Sequence, residues 1–471
     1  MGDKIEVRNP RTGKIDYWIT PPTGDQLAGI CTRLRQAQVA WQESGFKKRI
    51  QAMQSWKQAL LSHKDELTEA IVADTGRLSE SRLEVDSFLS SIDRWCRLAP
   101  DLLQTESPTT AVPFIRLEQQ LVPYPLVGVI SPWNFPLLLS AIDTIPALLA
   151  GCAVIVKPSE IAPRFMQPLV KTIALVPELR DILAYVPGAG GTGSALIESV
   201  DLVCFTGSVA TGKKVAEAAA KQFIPAFLEL GGKDPAIVLA SADLELATSA
   251  ILWGSVVNAG QSCLSIERIY VAESIGDRFV EKLVAKAKNL KLAYPSVEEG
   301  QIGPIIAEKQ ADIIAEHLQD AVEKGAMVHC GGAVEKLDGG NWCHPTVLTE
   351  VNHSMKIMTE ESFAPIMPVM PFSLTEEAIS LANDTIYGLS AAIFAGSQAE
   401  ARLVANHLDA GAISINDAGL TAFIHEAEKN AFKLSGMGSS RMGAASLSRF
   451  MRKKAFLIKT NSLVDPWWFE I

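Results

Sequence analysis

From Tyr124 onward, short apolar runs alternate with stretches of helical spacing: Val127-Gly128-Val129-Ile130, Ala153-Val154-Ile155-Val156, Leu183-Ala184-Tyr185-Val186 and Leu202-Val203-Cys204-Phe205. Four-residue apolar runs separated by helices predict parallel strands buried on both faces and joined by crossover helices. Ahead of them, residues 23–99 place apolar side chains at helical intervals, as in Ile50, Met53, Trp56, Leu60 and Leu61. That spacing predicts an amphipathic layer covering a sheet. Between the two, Ser107 to Gln120 is Pro-interrupted and β-leaning, which reads as a projecting hairpin and hence an oligomer contact.

After Gly232 the alternation resumes with Ala236-Ile237-Val238-Leu239, a helix through Leu252 and Val256, and a strand at Ile269-Tyr270-Val271. Helical stretches near 279–290 and 305–324 alternate with short strands to about Ile415, so a second α/β unit follows the first. Past Ser440 the chain is β-prone again at Ala455-Phe456-Leu457-Ile458 and ends in Pro466-Trp467-Trp468-Phe469. Exposed paired tryptophans are unfavourable, so this tail is expected to pack on a partner subunit rather than on a membrane surface. The run from Phe135 to Val156 is apolar enough to suggest a membrane span, but Pro136, Asp143 and Pro146 interrupt it. A bilayer helix needs about 20 unbroken apolar residues, and the run is expected to be buried core.

Composition narrows the function classes. The 471 residues allow two or three domains, and a hydrophobic fraction of 48% with 20% charged residues is ordinary for a globular chain. A net charge of −10 without a Lys/Arg cluster argues against nucleic-acid binding and for small-molecule chemistry. Seven cysteines, an odd number with no CxxC pair, suit a reducing cytosol better than a disulfide framework or a zinc site, and no metal is expected. The first six residues carry no apolar core of a signal peptide, so the expected location is cytoplasmic.

Ligands of open parallel sheets bind beyond the carboxyl ends of the strands. There stand Ser131-Pro132-Trp133-Asn134, Lys157-Pro158-Ser159-Glu160, Pro187-Gly188-Ala189-Gly190-Gly191 and Thr206-Gly207-Ser208. Gly188-x-Gly190-x-x-Gly193 fits the literal dinucleotide fingerprint, but the acidic residue expected about 20 positions on is replaced by the helical Lys213-Lys214-Val215-Ala216-Glu217. Phe205-Thr206-Gly207-Ser208 is the stronger phosphate cradle, because it ends a strand and opens a helix whose N–H groups and the Ser208 hydroxyl can meet a phosphate. Glu160 could accept hydrogen bonds from ribose hydroxyls with Lys157 nearby, although either residue alone is most often a solvated loop charge. Further on, Phe227-Leu228-Glu229-Leu230-Gly231-Gly232-Lys233 and Gly260-Gln261-Ser262-Cys263 offer a carboxylate that can activate water and a thiol that can attack a carbonyl.

Pro132-Trp133-Asn134-Phe135-Pro136, Lys157-Pro158-Ser159-Glu160, Phe205-Thr206-Gly207-Ser208 with Gly212, Leu228 to Lys233, Gly260 to Cys263 with Arg268, Gly303-Pro304, Glu360 to Pro365, Asn383-Asp384 with Tyr387-Gly388-Leu389, and Ser435-Gly436-Met437-Gly438 occur in one order. In that order they resemble the NAD(P)-dependent aldehyde dehydrogenase superfamily over nearly the full chain. The resemblance implies an open parallel-sheet dinucleotide-binding domain at 1–105 and 123–232, an α/β catalytic domain at 233–440, and a small β oligomerisation element at 106–122 and 441–471. It implies Cys263 as nucleophile, Asn134 with the Cys263 backbone N–H as oxyanion donors, and Glu229 as the base that hydrolyses an acyl thioester. For the cofactor it implies Lys157 and Glu160 at the adenosine ribose, Gly207 and Ser208 at the pyrophosphate, and Glu361 and Phe363 beside the nicotinamide ribose and ring, with Trp133, Ser159, Gly212, Leu230 and Gly231 as further cofactor-binding residues. The Glu160 carboxylate would repel a 2′-phosphate, so NAD is expected, with NADP use open because Lys157 and Ser159 could compensate. A homodimer or homotetramer is implied as well.

Two departures stand out. Ala364 replaces the family's usual Gly, which is expected to tighten the nicotinamide pocket, and Asn430-Ala431-Phe432-Lys433 replaces Pro-Phe-Gly-Gly near the substrate mouth. The apolar segment 418–423 with Phe135, Leu138 and Leu139 predicts a hydrophobic substrate channel, favouring aliphatic or aromatic aldehydes over charged semialdehydes. The rivals are a CoA-acylating or semialdehyde dehydrogenase of the same superfamily, an inactive structural relative, and a cysteine hydrolase. The last lacks a recognisable His partner.

Overall fold

The structure, a computed structural model, describes residues 4–103 and 108–462. Two open sheets organise it. The first has six strands in the order Gly436–Met437, Ala226–Glu229, Leu202–Thr206, Leu126–Ile130, Ala153–Lys157 and Leu183–Tyr185, all parallel except the first. Its three central strands are buried at every position, as near-continuous Val/Ile/Leu text requires of a sheet covered on both faces. The second sheet has seven strands centred on Ile266–Ala272 and Asp234–Val238, with only the edge strand Met327–Cys330 antiparallel.

The helical layer resolves into four helices, Gly24–Glu43, Gly45–Ser62, Lys64–Thr75 and Ser79–Leu102. Thr23 and Gln26 form a reciprocal capping box at the first, which satisfies two amide groups a helix start would otherwise leave open. Trp56 is fully buried at the centre of this layer, edge-on to Phe88 at 5.2 Å and donating from its indole to Thr172 at 2.9 Å. The apolar run from Phe135 becomes a 15-residue helix, Pro136–Ala150, followed by a strand, and none of the helices among the described residues is long and apolar enough to cross a membrane. The helical layer also pins the start of that helix. Buried Glu84 accepts from the backbone N–H groups of Leu137 and Leu138 at 3.0 Å each and pairs with Arg77, which in turn donates to the carbonyl of Asn134.

The passage read as a hairpin is one long strand instead. Ile115–Pro123 pairs antiparallel with Met451–Lys459 along its whole length, so its partner comes from the far end of the chain. Phe456 and Leu457 of this ribbon are exposed. Ser107 and the Pro466-Trp467-Trp468-Phe469 segment lie outside the described residues.

Candidate active site

Cys263 sits on a loop that the backbone reaches under strain. After the helix Leu244–Val256, Asn258 and Ala259 both take left-handed conformations, with φ of 55° and 54°, and Gly260 follows at 70°. Non-glycine residues in that region cost on the order of 1–3 kcal/mol each, so surrounding contacts must hold them. They do: Asn258 receives Arg77 on its side-chain oxygen and donates to the carbonyls of Asn134 and Gln261, while Gln261 donates to Asn258 and Pro304 and accepts from Ile306. Gly260 lies so close to the Ala364 carbonyl that a Cβ would stand 2.1 Å from it. Ala364 itself is fully buried in the core of the second sheet, behind the loop, so its methyl group packs there rather than narrowing the nicotinamide pocket.

Asn134 follows the strand Leu126–Ile130 and is buried, its amide donating to the Gln261 carbonyl at 3.0 Å. A side-chain amide has two N–H groups, so one remains for a ligand. The backbone N–H of Cys263 is likewise without a hydrogen bond among the described residues. Glu229 ends the strand Ala226–Glu229, half-buried, in register with Thr206 on the neighbouring parallel strand.

Cys263, Asn134 and Glu229 line one channel of about 180 Å³. Its walls are Phe135, Leu138, Ile142, Trp253, Leu264 and Phe423, with Arg94, His425, Lys429 and Arg441 as its basic members. Burial first, and then the charges of Glu229 and Glu361, push the Cys263 thiol up to about 12. The surroundings thus hold the sulfur protonated.

On the other side of Cys263 opens a long groove in two connected lobes. The inner lobe, about 370 Å³, is lined by Trp133, Asn134, Leu230, Gly231, Cys263, Glu361 and Phe363. Trp133 and Phe363 meet edge-on at 5.5 Å, and the Gly232 N–H donates to Glu361 at 3.1 Å. Burial and neighbouring Glu267 push the Glu361 carboxyl up to about 8. Glu267 accepts from the backbone of Ser362 and Phe363 at 2.8 Å each and pairs with buried Lys233 at 2.6 Å, which holds this wall in place. The outer lobe, about 580 Å³, shares Trp133, Gly207 and Ser208 with the inner one and adds Lys157, Ser159 and Glu160.

The groove has the features of a dinucleotide site. Ser208, in the groove wall, caps the 14-residue helix Val209–Gln222, and Thr211 of the first turn lines the same wall. The Ser131 hydroxyl, in the wall of the outer lobe, is buried without a partner. Lys157 donates to the Gly188 carbonyl at 2.7 Å and lies 3.4 Å from Glu160, so the glycine loop anchors the lysine, with Gly190 and Gly193 along the wall. Of the expected residues Gly212 alone misses the groove: it is buried under Leu230, whose side chain occupies the space a Cβ would need. Thr206, Thr211, Lys214, Gln310, His317 and Arg441 line these cavities without having been expected; only Thr206, inside a quoted motif, carried a signal. All seven cysteines are free, and among the described residues none of the His, Cys, Asp and Glu clusters could hold a metal ion.

The aldehyde dehydrogenase family model matches residues 1–456. The solved structure of PutA of Anabaena variabilis, provisionally named an aldehyde dehydrogenase, is 70% identical, with a TM-score of 0.98 over 99% of this chain and 100% of that one. Among sequence relatives, the 4,4'-diapolycopene aldehyde oxidase of Methylomonas sp is 38% identical over 93% of this chain and 83% of its own. A Mycolicibacterium smegmatis protein provisionally named succinate-semialdehyde dehydrogenase [NADP(+)] is 34% identical over 97% of this chain and 89% of its own. A strained cysteine loop between a dinucleotide groove and an apolar channel, matched over this length, leaves one conclusion: the chain belongs to the NAD(P)-dependent aldehyde dehydrogenase superfamily.

Proposed function

We propose that this enzyme oxidises apolar aliphatic or aromatic aldehydes to carboxylic acids by way of a thioester on Cys263. The observation that carries the reading is the position of Cys263, which lines both the cofactor groove and the apolar channel that Glu229 shares. The nicotinamide of NAD or NADP, when bound, supplies the hydride acceptor. Lys157, Ser159 and Glu160 would hold the adenosine end, Gly207 and Ser208 with the helix start would meet the pyrophosphate, and Trp133, Leu230, Gly231, Glu361 and Phe363 would enclose the ring half.

Cys263 loses its proton to water and adds to the aldehyde carbon. The free N–H of the Asn134 amide and the backbone N–H of Cys263 receive the oxyanion, and because both are fixed beforehand they reorganise little as charge develops. Once the thioester has formed, the Glu229 carboxylate takes a proton from water. The hydroxide adds to the acyl carbon, the C–S bond breaks, and the sulfur leaves to be reprotonated as the acid departs. A base within this channel disfavours transfer to CoA, since it hydrolyses the thioester first.

One observation favours a second reading. Arg94 and Lys429 line the channel without an ion-pair partner among the described residues, and such cations could receive the distal carboxylate of a semialdehyde. Steady-state kinetics at 340 nm with octanal and succinate semialdehyde separate the two. A higher kcat/KM for the semialdehyde refutes the apolar assignment, and acyl-CoA rather than free acid in the presence of CoA refutes hydrolytic release.

The ribbon of Ile115–Pro123 and Met451–Lys459, with Phe456 and Leu457 exposed, supports a homodimer or homotetramer. Sedimentation of a Leu457→Glu variant tests it.

A further inference from the structure

Behind the channel wall lies a buried cluster of three charges. Asp143, in the helix Pro136–Ala150, accepts from Arg441 at 3.0 Å on one carboxylate oxygen and from Arg449 on the other. All three are at most 7% exposed. Two guanidiniums against one carboxylate leave a surplus of one positive charge, and buried charge without a counterpart is costly. Arg449 spends its free face on the rings of Phe227 and Phe450, at 5.3 and 4.8 Å. Arg441 turns to the site instead: it donates to the Thr206 hydroxyl at 2.7 Å and lines the channel with Glu229 and Cys263. Thr206 and Glu229 are register partners on adjacent parallel strands, so their side chains leave the sheet on the same face as near neighbours. Burial alone would weaken the hold of Arg441 on its proton, yet Asp143 and then Glu229 more than offset it. The Glu229 carboxylate makes no hydrogen bond of its own among the described residues.

We propose that Arg441 is a positioning residue for the base: the Asp143–Arg441–Arg449 cluster turns its surplus charge toward Glu229 and keeps that side chain an aimed carboxylate, ready to deprotonate water. The other ionisable groups lining the channel are Cys263, Arg94, His425 and Lys429, with Glu361 on the far side of Cys263. Lys429, more exposed than Arg441, is screened by water, and burial with Arg94 nearby lowers His425 to about 4, so it is neutral in the working range.

The idea rests on Cys263 and Glu229 acting as assigned above, and the test is built to separate the two. An activated ester such as p-nitrophenyl acetate acylates the thiol without nucleotide, so the burst of p-nitrophenolate reports Cys263 and the slow phase that follows reports hydrolysis of the acyl-enzyme. Arg441→Met leaves Asp143 paired with Arg449, a neutral pair, and should fold. Its burst should persist while deacylation at pH 6.5 falls at least about fivefold and at pH 9 stays within about twofold of wild type, because only the acidic side starves the base of its charge. Arg441→Lys should restore most of the pH 6.5 rate. Thr206→Val, which removes the hydroxyl that aims the guanidinium, should shift the profile the same way by less, and it carries the test alone if Arg441→Met does not fold. Equal losses at both pH values, or an unchanged profile in both variants, overturn the role of Arg441. Glu229→Gln is the control: if it deacylates like wild type, the assignment of the base itself is wrong.

Discussion

The sharpest quantitative consequence concerns the resting state of Cys263. With its thiol pushed up to about 12, only about one molecule in 10,000 carries a thiolate at pH 8, against about one in four for a free cysteine with a pKa of about 8.5. Alkylation by iodoacetamide in the absence of nucleotide should therefore run roughly 2,500-fold slower than for a free thiol, and rise about tenfold per pH unit from 7 to 10 without a plateau. Glu229 is the second contributor to the shift, after burial, so Glu229→Gln should move the whole profile to lower pH and speed inactivation at pH 8. Cys330 is the other thiol that is not buried, and a Cys263→Ala control scored by labelled-peptide mass removes its contribution. A plateau reached by pH 8 would mean that the sulfur is already a thiolate in the free enzyme, and an unchanged profile in Glu229→Gln would mean that the Glu229 charge does not help to hold the proton on it.

Three further outcomes follow from single contacts. Gly260→Ala should abolish turnover, since the position has φ of 70° and the added methyl would meet the Ala364 carbonyl at 2.1 Å; a variant with wild-type kcat would show the loop to be looser than its geometry. Glu160→Gln should raise kcat/KM with NADP relative to NAD, because a carboxylate in the outer lobe repels a 2′-phosphate while Lys157 remains to attract it; an unchanged ratio would place the ribose elsewhere. Trp56→Ala should cost about 3–5 kcal/mol in reversible denaturation, the usual range for truncating a fully buried large aromatic, and a loss below 1 kcal/mol would contradict its central place in the helical layer.

What could be read from the chain divides along a physical line. The strands of the first sheet were legible because a strand covered on both faces needs an uninterrupted run, and Val127–Ile130 and Ala153–Val156 carry one with every side chain buried. Cys263, Glu229 and Asn134 were legible because each stands in a local motif of glycines and prolines that shapes its own loop. Contacts made across the chain left no such mark. Ile115–Pro123 reads as half of a hairpin because its partner lies more than 300 residues away, and Gly212 reads as a cofactor-binding residue although Leu230 lies on it.

The electrostatics were the least legible of all, and the reason bears on the mechanism. In one dimension Cys263 reads as a nucleophile and Glu229 as a base for water; in three dimensions burial and two acidic neighbours hold the proton on the sulfur. The buried cation lining the channel, Arg441, stands 298 positions away from the aspartate that holds it. Hydrolysis needs Glu229 aimed at water while Cys263 stays quiet in the empty enzyme, and the two demands call for different neighbours. Placing a cation on the sheet face beside Glu229, at Thr206, meets both demands, because it acts most strongly on the group that shares its strand register. Lowering the charge at 441 should therefore slow deacylation well before it changes the rate at which the free thiol is alkylated, and equal effects on the two rates would show that the cluster does not discriminate between them.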